Sequence, residues 1–351
     1  SVLLQLFDRL NLCDRVKDVL FDPMQVFVQW CPALFQLSAP NPAFASKQMI
    51  RQPDLNKIWH QPLPRRRDLS TAGRYSYMAI MRTVLAALHR ETDPVTYADP
   101  ESLECYDLGR GFRLVLVGMI PERRLSLDAY IGYMGFKNGV PVAYGGGWIW
   151  ADQCKIGLNI LPAFRGGESA WIFAQILRAY RQRFALRQFR VSPYQYGAGN
   201  PEGLRSGAFW LYYKLGFRPE TNELKTLADG EWKKVTEQKG YRSPFDILKK
   251  FTQAPLICNQ GAGSQMRITP AQVSDALSYW IVAAGSANRK AFIKKCSIQQ
   301  GLHLNGLNKE QQETLALLAG WLIHQEYPES LRKQYLQACR LRWVDSEMNA
   351  V

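Results

Sequence analysis

An arginine and two glycines stand where an apolar run gives way to a helix-like one: "PAFRGGESAWIF" carries Pro162, Arg165, Gly166 and Gly167. Two kinds of chemistry suit that junction. Small residues close a tight turn. They also bare the backbone N–H groups of a helix start, where unpaired donors and the positive dipole end hold a phosphate. Arg165 would add a bidentate charge. Four aromatics are candidate substrate contacts. Tyr194 and Tyr196 lie in "SPYQYGAGNPEG", a loop rich in Gly and Pro, and loops at strand ends carry sites. Trp148 and Trp150 alternate with Val142 and Tyr144, which puts all four on one strand face as core or pocket lining. Arg178, Arg181, Arg183, Arg187 and Arg190 read as a solvated helix face whose start could meet a nucleotide phosphate, and Arg65, Arg66 and Arg67 as plain surface.

Other chemistries find little support. Seven cysteines and four histidines are scattered without a Cys-x-x-Cys pair, so neither a zinc site nor a disulfide framework is expected, and no metal is called for. A reducing compartment fits this cysteine usage. No apolar run reaches transmembrane length, since the stretch 26–37 is broken at Trp30, Cys31 and Pro32, and the start lacks a signal-peptide pattern. The expectation is a cytoplasmic protein with no membrane span. A net charge of +14 favours anionic partners such as nucleic acid, phosphorylated cofactors or acidic proteins, without choosing among them.

The elements that must position these residues follow from periodicity. A hydrophobic content of 47% over 351 residues supplies core for more than one domain. Residues 1–95 read as irregular helices, with a Pro-rich span between them and a firm helix in "GRYSYMAIMRTVLAALHRET". From about 102 the rhythm turns to strands: "FRLVLVGMI", then "LDAYIGYMGF" and "VPVAYGGGWIW" joined through Lys137-Asn138-Gly139, a hairpin signal, then "CKIGLNILP". "ESAWIFAQILRAYRQRF" is the cleanest helix, with Phe173, Ile176, Leu177, Tyr180 and Phe184 on one face. "RQFRVSPY" reads as a strand, and "PEGLRSGAFWLYYKLGF" as one helix opened by Asn200-Pro201 and ended at Gly216. From about 265 three helical patterns complete a small bundle. The organisation is a helical region 1–95, an α/β domain with a mixed sheet over 96–255, and a helical region 256–351.

The central segment resembles the GNAT superfamily of acyl-coenzyme A N-acyltransferases. The resemblance rests on a strand followed by Pro162, on the loop Arg165-Gly166-Gly167-Glu168-Ser169-Ala170 at a helix start, and on the ending Tyr212-Tyr213-Lys214-Leu215-Gly216-Phe217 of a second helix. It covers roughly a third of the chain. In the family's loop a glycine stands where this sequence has Glu168. The resemblance implies a GNAT-like fold flanked by helical regions, with backbone N–H groups from Gly166 through Glu168 and Ser169 to Ala170 holding the pyrophosphate of an acyl-coenzyme A, aided by Arg165. The strand ending at Leu161 would pair with the pantetheine amides. Tyr212 would protonate the leaving thiolate. The base is open; Asn159, Asp152 and Glu168 are the nearby polar residues.

The leading expectation is therefore an acyltransferase moving an acyl group from coenzyme A to an amine acceptor by direct attack. One alternative keeps the fold but takes aminoacyl-tRNA or acyl-carrier protein as donor, acidic partners that suit the positive charge. Another is a catalytically silent module acting in binding.

Overall fold

The structure, a computed structural model, describes residues 9–12, 14–21, 38–39, 44–125, 127–260, 269–283, 293–294, 296, 305–345 and 347–348. The apolar stretch 26–37, with Pro32, lies outside them, as do Pro40 and Pro42. The chain forms two units, Ser1–Phe35 and Gln36–Val351. The described part of the first holds helix α1 (Asp14–Phe21).

In the second unit, α2 (Leu55–His60), α3 (Thr71–Ala87) and α4 (Asp93–Thr96) lead into strands β1 (Glu104–Asp107), β2 (Phe112–Val117), β3 (Ala129–Lys137), β4 (Val140–Trp150) and β5 (Gln153–Ile160). Then come α5 (Ser169–Arg183), β6 (Gln188–Val191), α6 (Pro201–Ser206), α7 (Ala208–Lys214) and β7 (Arg218–Pro219). Helices α8 (Asn222–Glu237) and α9 (Phe245–Phe251) precede β8 (Leu256–Asn259). Helices α10 (Pro270–Ala283), α11 (Lys309–His324) and α12 (Glu329–Val344) follow.

The eight strands form one sheet in the order β1-β2-β3-β4-β5-β6-β8-β7. Every neighbouring pair is antiparallel except β5 and β6. The chain is thus a mixed α/β protein. The central β3–β4 hairpin turns on Asn138 (φ 48°) and Gly139 (φ 80°), the left-handed pair that a two-residue turn of this twist demands. Because β5 and β6 run parallel, a crossover must join them, and α5 supplies it. Phe173, Ile176, Leu177 and Tyr180 are fully buried against the sheet, as their spacing requires. On the other face α3 lays Tyr77, Met78, Ile80, Met81, Val84 and Leu85 over Val115, Val117, Met134 and Phe136. A third apolar cluster joins Trp150 to α10, α11 and α12.

Several details depart from the periodicity. Opposite Gly135 and Phe136 the register of β3 on β4 shifts. A bulge carries an extra residue, so the alternation of sides breaks there. Val142 consequently packs on the α5 side with Ala143, while Tyr144 faces α3. The expected single helix from Pro201 is two, because Gly207 sits at φ +64°, a left-handed conformation that ends α6 and starts α7 in a new direction. The sheet also gains β1 and, past residue 255, β8. The arginine run is no solvated face: Arg178 is fully buried, Arg183 grips Glu104 through two 2.9 Å bonds and Arg190 pairs with Glu220 at 2.8 Å. Arg65, Arg66 and Arg67 do lie at the surface, where Arg66 and Arg67 pair with Glu104 and Asp107.

Candidate functional site

Strands β5 and β6 are paired at Gln153↔Gln188, Cys154↔Phe189 and Lys155↔Arg190, and there the ladder stops. Past Lys155, β5 continues to Ile160 with β4 on one side only, while β6 keeps its other neighbour, β8. The result is a wedge between two parallel strands, closed at Lys155 and open toward Ile160. A strand edge freed in this way leaves N–H groups that need acceptors. Leu158 N–H finds one in Gln195 Oε1 at 3.3 Å. Gln195 comes from the 3₁₀ turn Pro193–Tyr196, directly after β6. The Tyr212 hydroxyl donates to the same oxygen at 3.5 Å. Gly157 makes room for this: a Cβ there would stand 3.1 Å from Gln195 Nε2.

Tyr212 is 2% exposed, with its ring edge-on to Phe173 and Phe217. Burial, with Tyr196 nearby, pushes its phenol well above the ordinary range. Tyr213 lies a third of a turn away and points elsewhere. Its hydroxyl donates to Asp229 and Arg218 stacks 3.8 Å over its ring. Burial and the bond to Asp229 push its pKa up to about 12.

At the open end of the wedge, Leu161 N–H returns to Val142 O at 2.9 Å and the 3₁₀ turn Pro162–Phe164 leads to the glycines. Arg165 donates from Nε to Ile160 O at 3.1 Å and pairs with Glu202, so its guanidinium is fixed beside the strand end. Gly166 adopts φ +77° with nothing within 4 Å of a Cβ position. Helix α5 starts at Ser169 without a side-chain cap. Among the described residues, no acceptor meets the backbone N–H groups of Gly166, Gly167, Ser169 or Ala170. These donors form a small cluster beside the mouth of the wedge.

Glu168, at that helix start, has its carboxylate engaged by a backbone N–H and two cations. Its carboxylate accepts from Ile50 N at 3.1 Å, Arg110 at 3.1 Å and Lys137 at 3.0 Å. Burial pushes its pKa up, but the bonds from Ile50 and Lys137 and the Arg110 contact hold it below the usual carboxylate range. Phe44 and Trp171 lie under both cations. Two positive charges against one negative leave this corner positive.

The four aromatics are not brought together. Tyr194, next to Gln195, is 54% exposed. Tyr196 is buried, with its hydroxyl on Ala254 O. Trp148 stacks on Tyr130 at 4.0 Å with Lys155 over its face, at the closed end of the wedge. Trp150 belongs to the third apolar cluster, edge-on to Tyr335. Gln195 and the Leu158 N–H escaped the sequence reading; a glutamine between two tyrosines carries no pattern, and only the parting of β5 from β6 gives it meaning. Asn159 is exposed on β5, and Asp152 lies in the β4–β5 turn at the closed end.

Comparison with family models, with curated proteins and with solved structures returned no match. Among the described residues no cluster of His, Cys, Asp and Glu could hold a metal ion, and no helix is long and apolar enough to cross a membrane.

Proposed function

We propose that the domain built on the eight-stranded sheet, from about residue 96 through β8, is a GNAT-like acyltransferase that moves an acyl group from coenzyme A to an amine. The observation that carries this reading is the coincidence of the β5–β6 wedge with the unpaired N–H groups of Gly166, Gly167, Ser169 and Ala170 at its mouth. A ligand with an anionic pyrophosphate and an amide-bearing arm needs those two features side by side. The pyrophosphate would sit on the helix start beside Arg165, and the arm would run along β5 from Leu161 inward. The acceptor nitrogen attacks the thioester carbon, the C–S bond breaks, and the sulfur leaves as thiolate. The nitrogen gives up its extra proton to water. A phenol as buried as that of Tyr212 stays protonated, so its first contribution is a hydrogen bond to the departing sulfur. Glu168, tied to Arg110, Lys137 and Ile50, does not compete with the pyrophosphate.

A second reading, a silent binding module of the same fold, draws support from Gln195, whose side chain takes up the freed Leu158 N–H in the wedge. Aminoacyl-tRNA or acyl-carrier protein as donor fits the +14 charge and the positive corner at Arg110 and Lys137. Calorimetry separates these. Acetyl-coenzyme A should bind the wild type, and Gly166→Asp should abolish binding, because it adds a carboxylate where the anion would lie. Equal affinity in the two folded proteins would sink the donor site. Binding without turnover on any amine would favour the silent module, and binding only of RNA or carrier protein, steeply weakened by salt, the other donors.

A further inference from the structure

The outer face of α5 carries a charge that nothing described so far explains. Trp171, Gln175, Arg178 and Gln182 recur at three- and four-residue steps and share one stripe, opposite the face that packs on the sheet. A strap, residues 50–63, is fastened to both ends of that stripe. At one end Ile50 N–H donates to Glu168 Oε1. At the other, Leu63 N–H donates to Gln182 Oε1 at 2.7 Å, and Gln182 Nε2 donates to Gln61 O at 2.8 Å. Arg181 donates to Trp59 O at 3.1 Å. Gln175, 2% exposed, and Arg178, 0% exposed, lie between these fastenings.

Among the described residues, all three guanidinium nitrogens of Arg178 lack a hydrogen-bond partner, and so does Gln175 Oε1. Burial pulls the Arg178 pKa down, but an arginine in a protein keeps its proton. An unpaired cation sealed from water is among the most unfavourable arrangements a fold can hold. The neighbouring arginines make the contrast plain, for Arg181 has a carbonyl, Arg183 has Glu104 and Arg190 has Glu220. The missing group must therefore be negative. It must offer acceptors to a planar fork of donors, and a donor to Gln175 Oε1.

We propose that Arg178 and Gln175 form a binding site for a hydroxyl-bearing oxyanion, a hydrogen phosphate or phosphate monoester, enclosed beneath the strap. The fork of Arg178 takes two anionic oxygens, and the P–OH donates to Gln175 Oε1. Sulfate, with no hydroxyl, satisfies the arginine alone. This site is independent of the wedge and of the acyltransferase reading.

The test uses the full chain, exhaustively dialysed, with inorganic phosphate, sulfate and coenzyme A titrated at constant ionic strength while melting is followed. Phosphate released from the denatured protein is assayed in parallel. The proposal expects saturable stabilisation by phosphate, or phosphate carried through purification, with sulfate weaker by roughly tenfold. Arg178→Met, close in volume but uncharged, should fold and lose the phosphate response. Gln175→Leu should bind phosphate and sulfate alike. Should Arg178→Met not fold, Gln175→Leu decides, and preserved discrimination in it overturns the site. A response to coenzyme A that Arg178→Met abolishes, without one to phosphate, identifies a ligand's phosphoryl group as the source. A wild type that neither carries nor responds to phosphate or coenzyme A overturns the proposal, as does an identical response in Arg178→Met.

Discussion

The sheet parts its strands in two places, and the two partings are filled in opposite ways. Beyond Val117 and Gly132, β2 separates from β3, and the freed N–H groups of Met119 and Tyr130 both donate to the Glu347 carboxylate, at 2.9 and 3.1 Å. That carboxylate is wholly buried. The chain around it is locked, because Arg124 reaches Met119 O, Arg342 O, Trp343 O and Asp99 in one span. Beyond Lys155 and Arg190, β5 separates from β6, and the freed Leu158 N–H meets only a neutral, half-buried amide at 3.3 Å. A wholly buried carboxyl that accepts two short bonds is a permanent plug. A neutral acceptor with two long ones is a stopper that a better ligand can displace. Equivalent defects in a ladder are thus closed by a buried carboxyl at one end and by a half-buried amide at the other.

The largest effect expected at the wedge is catalytic. Tyr212→Phe keeps the ring against Phe173 and Phe217 but removes the hydroxyl. If the acyltransferase reading holds, turnover falls by roughly 10²–10³-fold while donor affinity hardly moves. Tyr213→Phe, whose hydroxyl faces Asp229, is the control and should keep its turnover. Steady-state rates and melting curves on both variants decide it, and near-normal turnover in Tyr212→Phe would remove the residue from the mechanism.

At the plug the expected effect is on stability. Glu347→Ala strands two buried N–H groups and should cost about 2–5 kcal/mol near pH 5. The pH dependence has a definite sign. Burial raises the Glu347 carboxyl to about 7, against the opposing pull of its bonds to Met119 and Tyr130. A carboxyl raised on folding favours the folded state below its ordinary value, and that contribution is lost as pH climbs through about 7. Wild type minus Glu347→Gln, each followed by urea unfolding from pH 4 to 8.5 (roughly the span between the ordinary carboxylate value and full ionisation), should show the fall. A flat difference curve would mean that the plug is not ionising in this range.

How legible these two sites were in the sequence differs for physical reasons. The β3–β4 hairpin, α5 and its buried stripe were readable, because Asn138-Gly139 and a 3.6-residue period are local signals. So was the start of α5 just after Gly167. Strand β1 was not, since it carries Glu104 inward and that is tolerable because of partners such as Arg183, 79 residues away. Strand β8 is four residues long and gains its identity from β6 and β7 on either side. The break at Gly207 was hidden because one glycine inside a helical pattern is usually absorbed. Arg178 read as solvent-facing, for helical periodicity does not reveal a strap laid over the polar face. Both partings depend on long-range register, and Glu347 lies 228 residues from Met119.

The smallest expected effect sharpens the contrast most. If Gln195 is a displaceable stopper, a donor entering the wedge must first break its bonds to Leu158 and Tyr212, each a neutral hydrogen bond near the long limit. Such a bond contributes about 0.5–1.5 kcal/mol net, so removing the stopper should tighten donor binding roughly two- to tenfold. Gln195→Ala is the variant, and its stability loss should stay near 1 kcal/mol, because water reaches the half-open edge and replaces the lost acceptor. Tyr194→Phe alters the adjacent exposed side chain without touching the wedge and should leave both quantities unchanged. Calorimetry with acetyl-coenzyme A on the three proteins gives the answer. A Gln195→Ala protein that binds the donor more weakly than wild type would show that the amide belongs to the binding surface itself. A stability loss as large as that of Glu347→Ala would make the two partings alike, both plugs, and the wedge would then have no claim to be a site.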